Sequence, residues 1–155
     1  MLTRREDFLI TELDALNLTK KLETKFVPGI EKSHYSNVNA ILIGLIAEEI
    51  TGKSLIDLYD KYIFKTLNLS NTETIKKYNC VIPYFNNRAN RYKYASSALA
   101  CGGLVSTVDD LMIFIKAFTK GQLFSISNIE NIKFNNIQFF PLKYSAGVMS
   151  IYIPP

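Results

Sequence analysis

From Ser36 to Gly52 the sequence SNVNAILIGLIAEEITG places Val38, Ile41, Leu42, Leu45, Ile46 and Ile50 at helical spacings. That period sets side chains on one face of an α-helix. Gly52 stands where a left-handed residue ends such a helix. Ile43, Gly44 and Ala47 make the other face apolar or small as well. The pattern predicts a helix from about Val38 to Thr51, buried on most sides, in which an aspartate at Ile46 would cost several kcal/mol. A helix covered all round needs a body of other elements about it. At 155 residues and 48% hydrophobic composition, the chain has material for one such core and too little for two independent domains.

The neighbouring text supplies further helices. Phe8, Leu9, Leu13, Leu16 and Leu22 form a broken stripe that fits one or two short helices over residues 5 to 23, and Pro28-Gly29 ends it. Ser54 and Asp57 lie at capping-box spacing before Leu55, Leu58, Tyr59, Tyr62 and Ile63, which predicts a second helix from about Leu55 to Ile63. Thr107 and Asp110 repeat that spacing before a third, from about Val108 to Lys120, which stops at Gly121. Residues 68 to 106 are rich in Asn, Ser and Tyr with little periodicity and read as a long irregular region. After Phe124 the β-branched and aromatic text predicts a turn or short helix and then one strand from about Tyr144 to Ile153.

Several function classes fall away. The longest apolar run, Ala40 to Ala47, is far short of the ~20 residues of a membrane-spanning helix, and Glu48 and Glu49 follow at once. The opening MLTRREDFLI lacks an apolar h-region and a small-residue cleavage site, so it does not read as a signal peptide. A net charge of +4 is a mild bias. Its densest run, NNRANRYKY at 86–94, interleaves Arg88, Arg91 and Lys93 with Tyr92 and Tyr94, a pattern that also occurs on single-stranded nucleic-acid surfaces. Scattered basic loops are commonly only solvated, and no nucleic-acid partner is expected. Cys80 and Cys101 are too few and too far apart for a zinc site, and His34 is the sole histidine, so no metal or other cofactor is expected; the cysteines read as separate buried thiols, with an unsupported disulfide as the alternative.

Tyr35-Ser36-Asn37 at the mouth of the first long helix admits two readings. Ser36 or Asn37 is a helix cap and Tyr35 a packed aromatic, or the three carry chemistry. The tripeptide alone is weak, because Tyr84-Phe85-Asn86 repeats its form. Its context is more specific. Phe26-Val27-Pro28-Gly29 precedes it, Thr51-Gly52-Lys53-Ser54 closes the helix after it, IFKTLNLSNT follows at 63–72, and ACGGLVSTVDDLMIFIKAF at 100–118. In that order the blocks resemble the class C β-lactamase-related branch of the serine β-lactamase and D,D-peptidase superfamily, over roughly residues 20 to 124. The resemblance implies a mainly α chain, the helical domain of a β-lactamase-like or transpeptidase-like α/β fold, with one or two short C-terminal strands. It implies that Tyr35 helps move the proton of a nucleophilic serine and that Asn37 binds the substrate amide and a catalytic lysine. A phenol, with its pKa of about 10, serves as a base near neutrality only beside cations.

The same resemblance exposes what the chain does not carry. No serine is followed three residues later by lysine, and no Lys-Thr-Gly or His-x-Gly occurs. The sequence therefore reads as one domain, residues 1–155, that is the helical portion of a β-lactamase-like serine hydrolase without its nucleophile segment and final sheet strands. Two departures bear on Tyr35: residues 30 to 34 make a loop one residue longer than the pattern, and Ser33 and Ala40 stand where aromatics are common. The function expected is that of a fragment of an acyl-serine hydrolase acting on β-lactams, D-amino-acid peptides or esters, idle by itself. The other reading is a non-catalytic binding or interaction module. The fragment is expected to self-associate through apolar residues left uncovered, whereas the module would bury them against a partner or another copy of itself. The family's usual place is outside the cytoplasmic membrane.

Overall fold

A computed structural model describes residues 10–27, 34–75, 84–85, 88–89, 99–130, 135–136, 142–145 and 147–153. Helices dominate them, accompanied by short strands, as expected for a mainly α chain. Helix α1, Glu12–Thr19, opens on a complete capping box: the Thr11 hydroxyl accepts from the Asp14 amide and the Asp14 carboxylate accepts from the Thr11 amide. It packs against α2, Asn37–Thr51. Ser36 is the N-cap of α2, its hydroxyl accepting from Val38 N at 3.3 Å, and Gly52 ends the helix in the left-handed conformation. Both ends fall within a residue of those predicted.

The joint to the next helix is made by a side chain. Glu48 Oε1 accepts from Leu55 N at 2.6 Å, satisfying a free donor of the following first turn from the previous helix. Gly44 allows the approach, since a Cβ there would stand 3.0 Å from Ala100 Cβ and 3.2 Å from Leu55 Cδ2. Helix α3, Leu55–Tyr59, opens on Ser54 as predicted. It runs through a π-helical turn, Asp60–Phe64, into a last turn, α4, Lys65–Leu67. The element is thus longer than predicted. The π turn turns Phe64 into the core while Thr66 Oγ1 donates to the Lys61 carbonyl.

Helix α5, Val108–Thr119, begins at Thr107. It ends in a Schellman motif: Gly121 has φ +67°, Gln122 N donates to the Ala117 carbonyl and Gly121 N to that of Phe118. Phe114, Phe118 and Phe124 form a ring series across this end, with centroids 6.1 and 5.2 Å apart. The Asp110 carboxylate does not serve its own helix. Only 4% exposed, its Oδ2 accepts from Asn71 N and Thr72 Oγ1, both at 2.8 Å. Beside it Glu73–Thr74, strand β1, pairs antiparallel with strand β4, Leu104–Val105, and Ile75 N donates to Gly103 O. The sequence blocks at 63–72 and 100–118 are therefore one structural joint. Tyr84–Phe85 (β2) and Arg88–Ala89 (β3) form a second antiparallel pair.

After α6, Ser127–Glu130, three strands form a sheet in the order β5 (Asn135–Asn136), β6 (Leu142–Ser145) and β7 (Val148–Ile151). The single strand predicted from Tyr144 to Ile153 is instead a hairpin. Ser145 pairs with Val148, and Gly147 at φ +82° supplies the turn. The expectation for α2 is also corrected. Of its residues only Ile41 and Gly44 are buried, while Ile43, Ile46 and Ile50 are 69%, 55% and 79% exposed. The helix has apolar residues on more sides than the described residues cover. Cys101 is half-buried and free; Cys80 and residues 90–94 of the basic run lie outside the described residues.

Candidate active site

The approach to α2 and the segment after α1 enclose an open cleft of about 690 Å³. Lys21, Glu23, Lys25 and Phe26 form one wall, and His34, Tyr35, Ser36 and Asn39 the other. Ser36 turns the chain into the helix, its backbone extended at φ −148° and its carbonyl accepting the first helical bond from Asn39 N. That geometry leaves Tyr35 just outside the helix, 41% exposed. The Tyr35 ring meets Tyr144 of β6 edge to face, with centroids 5.4 Å apart and planes at 83°, an arrangement that aromatic quadrupoles favour.

The predicted pair is placed unequally. Tyr35 stands in the cleft wall, whereas Asn37 is the exposed first residue of α2, and Asn39 is the asparagine lining the cleft. Ser36 is the helix cap of the structural reading, and its neighbour Tyr35 lines the cavity. Sequence reasoning missed Lys21, Lys25 and His34. Lys25 Nζ lies 2.8 Å from His34 Nε2, and His34 Nδ1 lies 2.9 Å from the Tyr35 carbonyl oxygen. No local pattern links Lys25 to His34, nine positions apart in the sequence.

Among the described residues no group of His, Cys, Asp and Glu is arranged to hold a metal ion, and no helix is long and apolar enough to cross a membrane.

A second cavity, about 430 Å³, lies between the π turn and α5, lined mainly by Tyr59, Ile63, Phe64, Leu104, Leu111 and Phe114. Tyr59 borders it and donates to the Leu99 carbonyl at 3.5 Å. Burial, and then the neighbouring Cys101, push its phenol above the ordinary value, and burial likewise raises the Cys101 thiol.

A helical body entered through Tyr-Ser-Asn, with a small antiparallel sheet bringing an aromatic to that entrance, is a serine hydrolase-related architecture. The chain belongs to the Beta-lactamase family, whose model matches residues 5–133. Among solved structures it is similar to a D-stereospecific amidohydrolase from Streptomyces sp., with a TM-score of 0.75 and 21% identity over 94% of this chain and 46% of that one. It is also similar to the D-amino acid amidase from Ochrobactrum anthropi SV3, with a TM-score of 0.72 and 22% identity over 91% of this chain and 48% of that one. A penicillin binding protein from Bacillus halodurans matches with a TM-score of 0.68 and 19% identity over 90% and 46% of the two chains. The chain thus spans about half the length of the solved structures it matches.

Proposed function

We propose that the chain is the helical, Tyr-Ser-Asn-bearing part of an acyl-serine hydrolase acting on β-lactam, D-amino-acid amide or peptide, or ester bonds, and that it is hydrolytically idle alone. In this reading residues 1–155 are one domain, Tyr35 is the proton-transfer group facing a serine that lies outside them, and Asn37 orients the substrate amide. The observation that carries the reading is Tyr35 sharing with Lys21 and Lys25 the lining of a cleft large enough for a small acyl substrate. The absence of any Ser-x-x-Lys from the sequence carries the second half, because a serine needs an adjacent base to attack an acyl carbon. The names of the similar structures favour amides of D-amino acids over other acyl compounds.

The test uses a polypeptide that joins this chain to a Ser-x-x-Lys segment in its own gene, assayed with a D-amino acid amide, a chromogenic cephalosporin and a simple ester. Turnover of at least one, lost by about a hundredfold or more in Tyr35→Phe, is expected for a general base. Undiminished turnover in Tyr35→Phe would show that the tyrosine is only a helix entrance.

One observation favours the other class. Ile43, Ile46 and Ile50 make an exposed apolar row on α2, and a non-catalytic module would bury such a row against a partner or a second copy. In the fragment reading the isolated chain self-associates through it.

A further inference from the structure

The contacts from Lys25 through His34 to Tyr35 fix the imidazole's proton from both ends. An ammonium only donates and a carbonyl only accepts. With Lys25 Nζ at 2.8 Å from Nε2 and the Tyr35 carbonyl oxygen at 2.9 Å from Nδ1, His34 accepts at Nε2 and donates from Nδ1–H. Both neighbours demand the same neutral tautomer, and the bond made at one ring nitrogen sets the state of the other.

The carbonyl held in this way is one the helix cannot hold. The Ser36 carbonyl accepts the first helical bond, from Asn39 N, so the Tyr35 carbonyl lies one residue outside the ladder. The Tyr35 ring is braced on one side by Tyr144. We propose that Lys25 and His34 are positioning residues for Tyr35: the lysine selects the Nδ1–H tautomer of His34, which grips the Tyr35 carbonyl and so sets where the phenol stands in the cleft. The proposal rests on the reading of Tyr35 as the proton-transfer group. Its physical importance is that proton transfer works only at hydrogen-bond distance, so a tyrosine at an exposed helix entrance needs its backbone fixed.

His34 is the only histidine in the sequence, so long-range proton–nitrogen NMR of the labelled chain reads its two ring nitrogens directly. At a pH where the imidazole is neutral, the wild type and Lys25→Arg are expected to show the Nδ1–H pattern. With only the Tyr35 carbonyl left to hold Nδ1–H, Lys25→Met is expected to admit a measurable share of the Nε2–H form, with weakened ring-to-ring NOEs between Tyr35 and Tyr144. An Nε2–H wild type overturns the proposal, as does a Lys25→Met chain that keeps both the Nδ1–H pattern and full NOEs. Should Lys25→Met not fold, the wild-type tautomer decides the first half. His34→Asn, whose amide N–H stands near the place of Nδ1–H, then decides the second: it keeps the NOEs that His34→Ala loses, and equal NOEs in the two variants refute the grip on Tyr35. No readout depends on hydrolysis, so its failure and a failure of the catalytic reading are separable.

Discussion

Replacing Asp110 with alanine is expected to destabilise the chain by about 3 kcal/mol. The carboxylate is 4% exposed and its Oδ2 accepts from Asn71 N and Thr72 Oγ1. Hydrogen bonds to a charged group contribute about 1.5–3 kcal/mol each. The two are not simply additive here, because Thr72 Oγ1 also lies 2.8 Å from Ser106 Oγ and keeps that partner, and Asn71 is near enough to solvent to recover water. The loss is therefore set mainly by one charged bond and by the hole left beside α5. With a urea m-value of about 2 kcal/mol/M, 3 kcal/mol moves the midpoint by about 1.5 M. Asp110→Asn keeps an acceptor oxygen without its charge and is expected to lose about half as much. Urea denaturation followed by circular dichroism measures both. A midpoint for Asp110→Ala within about 0.3 M of wild type, at this slope, would refute the claim that this carboxylate ties the 63–72 block to α5.

Other outcomes follow from the packing. Gly44→Leu is expected to cost about 1–3 kcal/mol by overpacking against Ala100 and Leu55, read as a lower melting temperature; an unchanged value contradicts the close approach. Ile46→Asp, on a half-exposed position, is expected to cost under about 1 kcal/mol while reducing self-association in sedimentation at micromolar concentration. A large stability loss, or unaltered association, counts against the exposed row. Because Tyr59 is raised above its ordinary value, its phenol ionises more readily unfolded than folded. The stability this gives is present below about pH 10 and is lost as pH rises through the folded value. Urea midpoints are expected to fall over that range, and to fall less steeply in Tyr59→Phe; equal slopes contradict the assignment.

The elements legible in the sequence were those defined by local chemistry. Ser36 and Gly52 bound α2, and Thr107 and Gly121 bound α5, because caps act on backbone within a turn of themselves. What stayed hidden was non-local. Thr107 and Asp110 read as a closed box, yet the carboxylate crosses to residues 38 and 39 positions away. Glu48 reaching Leu55 N is likewise a bond between elements. Periodicity reported that Ile43, Ile46 and Ile50 are apolar but could not report whether anything covers them. At the candidate site Tyr35 was legible from its motif, whereas Lys25 and His34 stand nine positions apart and their contact carries no local sequence signal. The hairpin was missed because continuous β-branched and aromatic text outweighed Gly147, whose positive φ makes the turn.

The central claim is that this chain carries the tyrosine of an acyl-serine site without its serine. Mass spectrometry of the intact chain after incubation with a fluorescent penicillin tests it most directly. The account predicts the mass of the unmodified chain alone, and a stoichiometric acyl adduct when the chain is joined to its Ser-x-x-Lys segment. A stoichiometric adduct on any serine of the 155 residues by themselves would contradict it.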